Sequence, residues 1–183
     1  MRTLPLFALL ILAGCEPADQ PKTAENSETA KAGATDRSSA GKLAPDTVFQ
    51  DPDGEPATFS DFKGTPVLLN LWATWCAPCV KELPTLDALQ AREGAQLKVL
   101  TVSQDMEGRE KVEQFLAKGK YRTLEAWLDP EMALMGALEV SVLPTTILYD
   151  GEGREVWRVT GDKDWAGKEA AALLAEVSPA AAR

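Results

Sequence analysis

With no histidine among its 183 residues, the chain lacks the usual general base and imidazole metal ligand, and Ser/His and Cys/His nucleophile pairs are excluded. Its formal net charge of -9 comes from Lys and Arg mixed with Asp and Glu along the chain, which argues against a nucleic-acid surface. A hydrophobic fraction of 45% and five Trp can supply one packed core, whereas two full domains would be crowded at this length.

Arg2, the apolar run from Leu4 to Leu12, and Ala13-Gly14 before Cys15 follow the layout of a signal peptide over residues 1–14. The run is about half of the roughly 20 residues that a membrane-spanning helix needs. Leu12-Ala13-Gly14-Cys15 resembles the lipobox of bacterial lipoproteins. That resemblance implies lipidation of Cys15 and a membrane-anchored lipoprotein of the cell envelope, on its periplasmic side; secretion with an unpaired Cys15 is the alternative. Residues 16–42 hold no Val, Ile, Leu, Met or aromatic residue, so they cannot bury enough surface to offset the entropy of ordering. Residues 15–42 are therefore expected to be a lipidated Cys and a flexible tether with a span on the order of 30 Å, and residues 43–183 the globular domain.

Within that domain, Thr47 to Gln50 and Ala57 to Phe59 flank the turn-rich Asp51-Pro52-Asp53-Gly54 and predict a short hairpin. Val67 to Trp72 is an apolar run of strand length. Ala77 to about Ala91 carries Val80, Leu83, Leu86 and Leu89 near helical spacing, with a bend expected at Pro84. Leu97 to Val102 predicts a second buried strand, Glu110 to Lys118 a helix, Thr123 to Leu128 a short strand, and Asp129-Pro130 the start of a helix running to Leu138. Thr145 to Tyr149 and Glu155 to Val159 surround a hairpin signal, and Lys163 to Val177 predicts a closing helix. The order is hairpin, βαβ, a short central insertion, then ββα. It predicts an α/β fold with a mixed sheet flanked by helices.

Cys76 and Cys79 are the chemistry-bearing pair. Cys76 falls where the strand ends and the helix begins, so its sulfur should face unpaired N–H groups and the positive end of the helix dipole, which favours the thiolate. Pro78 suits the first helical turn, where its missing N–H has no intrahelical partner. Cys79, three residues on, lies within bridging distance. A zinc site lacks ligands to complete it, so no metal site is expected; a two-thiolate Cu(I) site stays open as an alternative.

Val67 to Cys79, reading Val-Leu-Leu-Asn-Leu-Trp-Ala-Thr-Trp-Cys-Ala-Pro-Cys, with Val80-Lys81-Glu82-Leu83-Pro84 behind it, resembles the TlpA/ResA-like thioredoxin-family disulfide reductases of bacterial envelopes. Val142-Leu143-Pro144-Thr145-Thr146 looks like that family's cis-proline loop. The resemblance covers about Leu43 to Val177 and implies a thioredoxin fold. It also implies a redox-active Cys76–Cys79 disulfide with no other cofactor, and an active-site surface of Trp75, Ala77, Pro78, Leu143 and Pro144. Cys76 would attack a partner's disulfide and Cys79 would resolve the mixed disulfide. Glu82 lies one turn beyond Cys79. If buried, its pKa would rise and it could relay the proton of Cys79; the bland alternative is an exposed Glu complementing the helix dipole. Asn70 stands where cytoplasmic thioredoxins carry a buried Asp, and cannot titrate. Trp72, Trp127 and Trp157 are expected in the core, while Trp165 has no assignment.

These readings describe an envelope thiol-disulfide oxidoreductase acting as a protein-disulfide reductase. By resemblance, electrons would come from a membrane donor of the DsbD or CcdA type, and substrates would include apocytochrome c or copper-site assembly proteins. A dithiol oxidase or isomerase, and a Cu(I)-binding chaperone using the same Cys pair, are the alternatives.

Overall fold

The computed structural model describes residues 33–177; the signal peptide and Cys15 lie outside them. The strands are β1 (Thr35–Asp36), β2 (Phe49–Gln50), β3 (Pro56–Ala57), β4 (Val67–Trp72), β5 (Lys98–Ser103), β6 (Trp127–Leu128), β7 (Thr145–Tyr149) and β8 (Glu155–Thr160). They form one sheet in the order β1-β8-β7-β4-β5-β6-β2-β3. Strand β4 pairs parallel with β5 and antiparallel with β7. The helices are α1 (Ala77–Glu93), α2 (Arg109–Gly119), α3 (Ala133–Ala137) and α4 (Lys168–Leu174).

Alternation along β4 decides which residues meet which helices. All six of its residues are buried, and successive side chains point to opposite faces. Leu68 and Trp72 join the core formed with Leu83, Leu86 and Leu89 of α1, Val112 of α2, and Trp157 and Trp165. Leu69 and Leu71 join a second core with Phe49, Ile147, Tyr149, and Leu134 and Leu138 at α3. Asn70 shares the face of Leu68 and Trp72, so a buried amide is turned toward α1. Helices on both faces and the hairpin at one edge match the expected thioredoxin fold.

Four boundaries differ from the sequence expectation; the helix expected from Asp129-Pro130 to Leu138 is confined to Ala133–Ala137, where Asp129 accepts the N–H groups of Ala133 and Leu134. Composition places the end of the tether at Lys42, but residues 33–42 lie along the β8 edge as a strap. Thr35 pairs with Val159 and Asp36 with Arg158. Gly33 N–H donates to the Thr160 carbonyl at 2.8 Å, and Gly41 N–H to the Glu155 carbonyl at 2.7 Å. Arg37 forms a bidentate pair with Glu176. Backbone bonds to a free strand edge hold this segment, not apolar burial, so composition could not reveal it.

The expected strand from Thr123 shrinks to Trp127–Leu128. The carboxylate of Asp87 takes the N–H groups of Arg122, Thr123 and Leu124, so the first residues of the expected strand have no N–H free for a ladder. The closing helix starts at Lys168, with a 3-10 turn at Ala175–Val177. Residues 163–167 form a loop instead, in which Asp164 accepts the Ala166 N–H and Trp165 is drawn into the core.

Candidate active site

The turn after β4 sets the Cys pair in place. Cys76 caps α1, with Pro78 in the first turn, and its Sγ accepts the Cys79 backbone N–H at 3.3 Å. Cys76 N–H donates to the Ala73 carbonyl, and its own carbonyl accepts Val80 N–H. The two Cα atoms are 5.3 Å apart and the sulfurs are bonded at 2.02 Å. Cys79 is fully buried, whereas Cys76 is 6% exposed. Cys76 is thus the sulfur that a partner can reach.

The approach to Cys76 is a cleft of about 510 Å³ lined by Trp75, Ala77, Pro78, Met132, Met135, Ser141, Val142 and Leu143. Among the described residues no charged side chain lines it. Trp75 is 62% exposed and Val142 51%, so its rim offers apolar surface to a partner. The Leu143–Pro144 peptide is cis, and the Pro144 carbonyl accepts Gly161 N–H at 2.8 Å. The sequence-predicted surface residues are therefore gathered at one end of the sheet.

Glu82 lies on α1 three residues beyond Cys79 and is 3% exposed. Its Oε1 accepts Asn70 Nδ2–H at 2.7 Å, and its Oε2 accepts the Lys163 backbone N–H and the Trp165 indole N–H, each at 3.0 Å. Burial pushes the carboxyl up to about 7; the donors of Lys163, Trp165 and Asn70 oppose that rise, and the charge of Asp162 adds to it. The group is thus able to exchange a proton near neutral pH. Asn70 Nδ2–H also reaches Thr146 Oγ1 at 2.9 Å, while among the described residues its Oδ1 has no hydrogen-bond partner.

Two further residues act here that sequence reasoning passed over. Trp165 had no assignment because the sequence reading placed it in the closing helix from Lys163, whereas the helix begins at Lys168 and Trp165 lies in the loop before it. Asp105, 1% exposed, accepts Thr74 N–H at 2.8 Å, Thr74 Oγ1–H at 2.6 Å and Ser103 Oγ–H at 2.7 Å. It pins the turn two residues before Cys76. A carboxylate just past the C-terminal end of a buried strand was the available signal, since sites in α/β sheets gather there.

The chain matches the family described as Redoxin across residues 39–174. It belongs to the redoxin family. This redoxin is 37% identical over 127 residues to the thiol-disulfide oxidoreductase ResA of Bacillus subtilis, covering 67% of this chain and 68% of that protein. It is 33% identical to ResA of Geobacillus thermodenitrificans over 124 residues, 66% of this chain and 69% of that one. Among solved structures, it superimposes on the exposed lipoprotein thioredoxin Etrx1 of Streptococcus pneumoniae with a TM-score of 0.61 at 28% identity, covering 71% of this chain and 97% of that one. StoA of Bacillus subtilis gives a TM-score of 0.55 at 27% identity, covering 66% and 92%. The chain is thus a thiol-disulfide oxidoreductase of the ResA type.

Proposed function

We propose that this redoxin is an envelope protein-disulfide reductase held at the membrane through a lipid on Cys15. The observation that carries the direction of transfer is the pairing of an uncharged cleft with a buried carboxylate on α1 three residues beyond Cys79. Among the described residues no Lys or Arg lines the cleft to hold a thiolate, and the negative charge of Glu82 disfavours one. A less stabilised dithiol gives up its electrons more readily.

In the proposed cycle, the Cys76 thiolate attacks one sulfur of a partner's disulfide and the partner's other sulfur leaves as a thiolate. Cys79 passes its proton to Glu82 and attacks Cys76 Sγ, expelling the partner's second sulfur as a thiolate and closing the Cys76–Cys79 bond; the partner's two thiolates are then protonated by solvent. Two electrons pass to the partner, and a membrane dithiol donor of the DsbD or CcdA type restores the reduced pair. The apolar cleft suits an extended partner segment beside Cys76, with apocytochrome c or copper-site assembly proteins as the substrates in view. Lipid anchoring is supported by the Leu12-Ala13-Gly14-Cys15 motif and by the likeness to Etrx1, itself described as a lipoprotein. Among the described residues no helix is long and apolar enough to cross a membrane.

Equilibration with a glutathione buffer tests the direction. We expect a potential within the range of about -200 to -270 mV spanned by glutaredoxins and thioredoxin, whereas a value near the roughly -120 mV of a strong oxidase would overturn it. Replacing Cys79 by Ala is expected to trap partners as mixed disulfides on Cys76, and Cys76→Ala to trap none; equal trapping would undo the assignment of attacking and resolving sulfurs. A Cu(I) reading is favoured by one observation, the thioethers of Met132 and Met135 in the same cleft as Cys76. Equimolar Cu(I) retention by the reduced protein, with insulin disulfides left intact, would favour it over reduction.

A further inference from the structure

Glu82 holds its place through bonds that come largely from one short loop. Both donors to Oε2 belong to residues 163–165. The same loop is tied to α1 again, because Trp165 backbone N–H donates to Thr85 Oγ1 at 3.1 Å while the Thr85 hydroxyl donates to the Glu82 carbonyl at 2.7 Å. Trp165 therefore grips the turn of α1 that carries Glu82 with both its main chain and its side chain. The indole has no freedom to look elsewhere: it is fully buried and stacked on Trp157 with ring centroids 6.2 Å apart and planes 5° from parallel. A buried indole N–H needs an acceptor, and a main-chain carbonyl serves for Trp157, whose Nε1–H reaches the Leu173 carbonyl at 3.4 Å. Trp165 uses a buried carboxylate instead.

We propose that Trp165 is the positioning residue for Glu82, fixing the carboxylate in the orientation from which it takes the proton of Cys79 and setting the pH range of that transfer. The inference rests on the reading of Glu82 as the proton acceptor. A donor to the carboxylate stabilises the anion against the cost of burial, so losing the indole N–H leaves Glu82 protonated to higher pH. The charged groups that face Glu82 are few. Asp162 is paired with Lys81 at 2.6 Å, and Lys163 turns its Nζ to Glu169 at 3.2 Å. Helix α1 brings Cys79, while β4 and β7 bring Asn70 and Thr146, which do not titrate. Trp165 is thus a contact whose removal changes hydrogen bonding without changing charge.

The test uses the full-length reduced protein and the aromatic disulfide 5,5′-dithiobis(2-nitrobenzoate). Cys76 attack releases one thionitrobenzoate, and resolution by Cys79 releases the second, so the second phase reads the step that Glu82 serves. For Trp165→Phe, which keeps the packing and deletes the N–H, we expect the pH midpoint of the second phase to rise by about one unit. At neutral pH that phase should slow several-fold relative to the first. The double variant with Glu82→Gln should behave as Glu82→Gln alone. A Trp165→Phe midpoint equal to the parent's, or a further shift in the double variant, overturns the inference. Glu82→Gln with the parent profile would instead refute the reading of Glu82 itself. Should Trp165→Phe not fold, indole ¹H–¹⁵N spectra of the parent decide the matter: one indole signal should titrate near neutral pH and lose that titration in Glu82→Gln. Five signals insensitive to that substitution overturn the inference.

Discussion

Glu82 makes stability depend on pH in a direction opposite to ordinary acid denaturation. Its folded pKa of about 7 lies above the usual 4.5, so the folded state binds the extra proton between those values. The stabilisation is complete below about pH 4.5 and is lost as pH rises through about 7. The contribution is on the order of 3 kcal/mol over that window, from about 1.36 kcal/mol per unit. Urea titrations across the window should show the fall in the parent and a flatter curve in Glu82→Gln. Asn70→Asp would set a second buried carboxylate where the amide now donates at 2.7 Å, and should destabilise the protein most at alkaline pH, where both groups must ionise. Asp105→Ala leaves the part-buried donors of Thr74 and the buried hydroxyl of Ser103 without their acceptor. It is expected to cost about 2 to 3 kcal/mol in chemical unfolding and to slow attack by Cys76, because the turn loses its anchor.

The strap of residues 33–42 covers the outer edge of β8 with main-chain bonds and the exposed Arg37–Glu176 pair. A chain beginning at Leu43 would leave that edge open. It should melt at lower temperature than one beginning at Gly33 and self-associate with rising concentration, because an unpaired edge templates strand addition; equal melting and a monomeric profile would reduce the strap to a passive spacer. The hairpin β2–β3 is attached differently, through Arg109, whose guanidinium donates to the carbonyls of Pro52, Asp51 and Ala126. Elements with strong apolar patterning, namely β4, α1, β5, β7 and β8, were legible from the chain to within a few residues. The strap, the short β6 and the loop of residues 163–167 were not, because side-chain caps and edge bonds to distant residues decide them. Asp87 cancels part of a predicted strand, and Glu82 helps to hold open a predicted helix start.

Across the molecule, the redox state of the Cys pair and the stability of the fold are linked. A dithiol that yields electrons readily belongs to a protein whose oxidised form is the more stable one, the reverse of a strong oxidase whose reduced form is stabilised. Urea unfolding of both forms should place the oxidised midpoint higher, and the opposite order would return the protein to the oxidase reading. Gly33 is bonded to Thr160, which pairs with Thr145 beside Pro144, so the strap begins at the end of the sheet that carries Cys76. The sequence alone determined the position of the cysteines at a strand–helix junction, the absence of histidine chemistry and the alternation that builds the two cores, because these depend on local spacing and composition. Only the tertiary structure decided that Glu82 is buried, that Asn70, Lys163 and Trp165 surround it, and that Asp105 holds the turn, because each depends on groups brought together from distant parts of the chain.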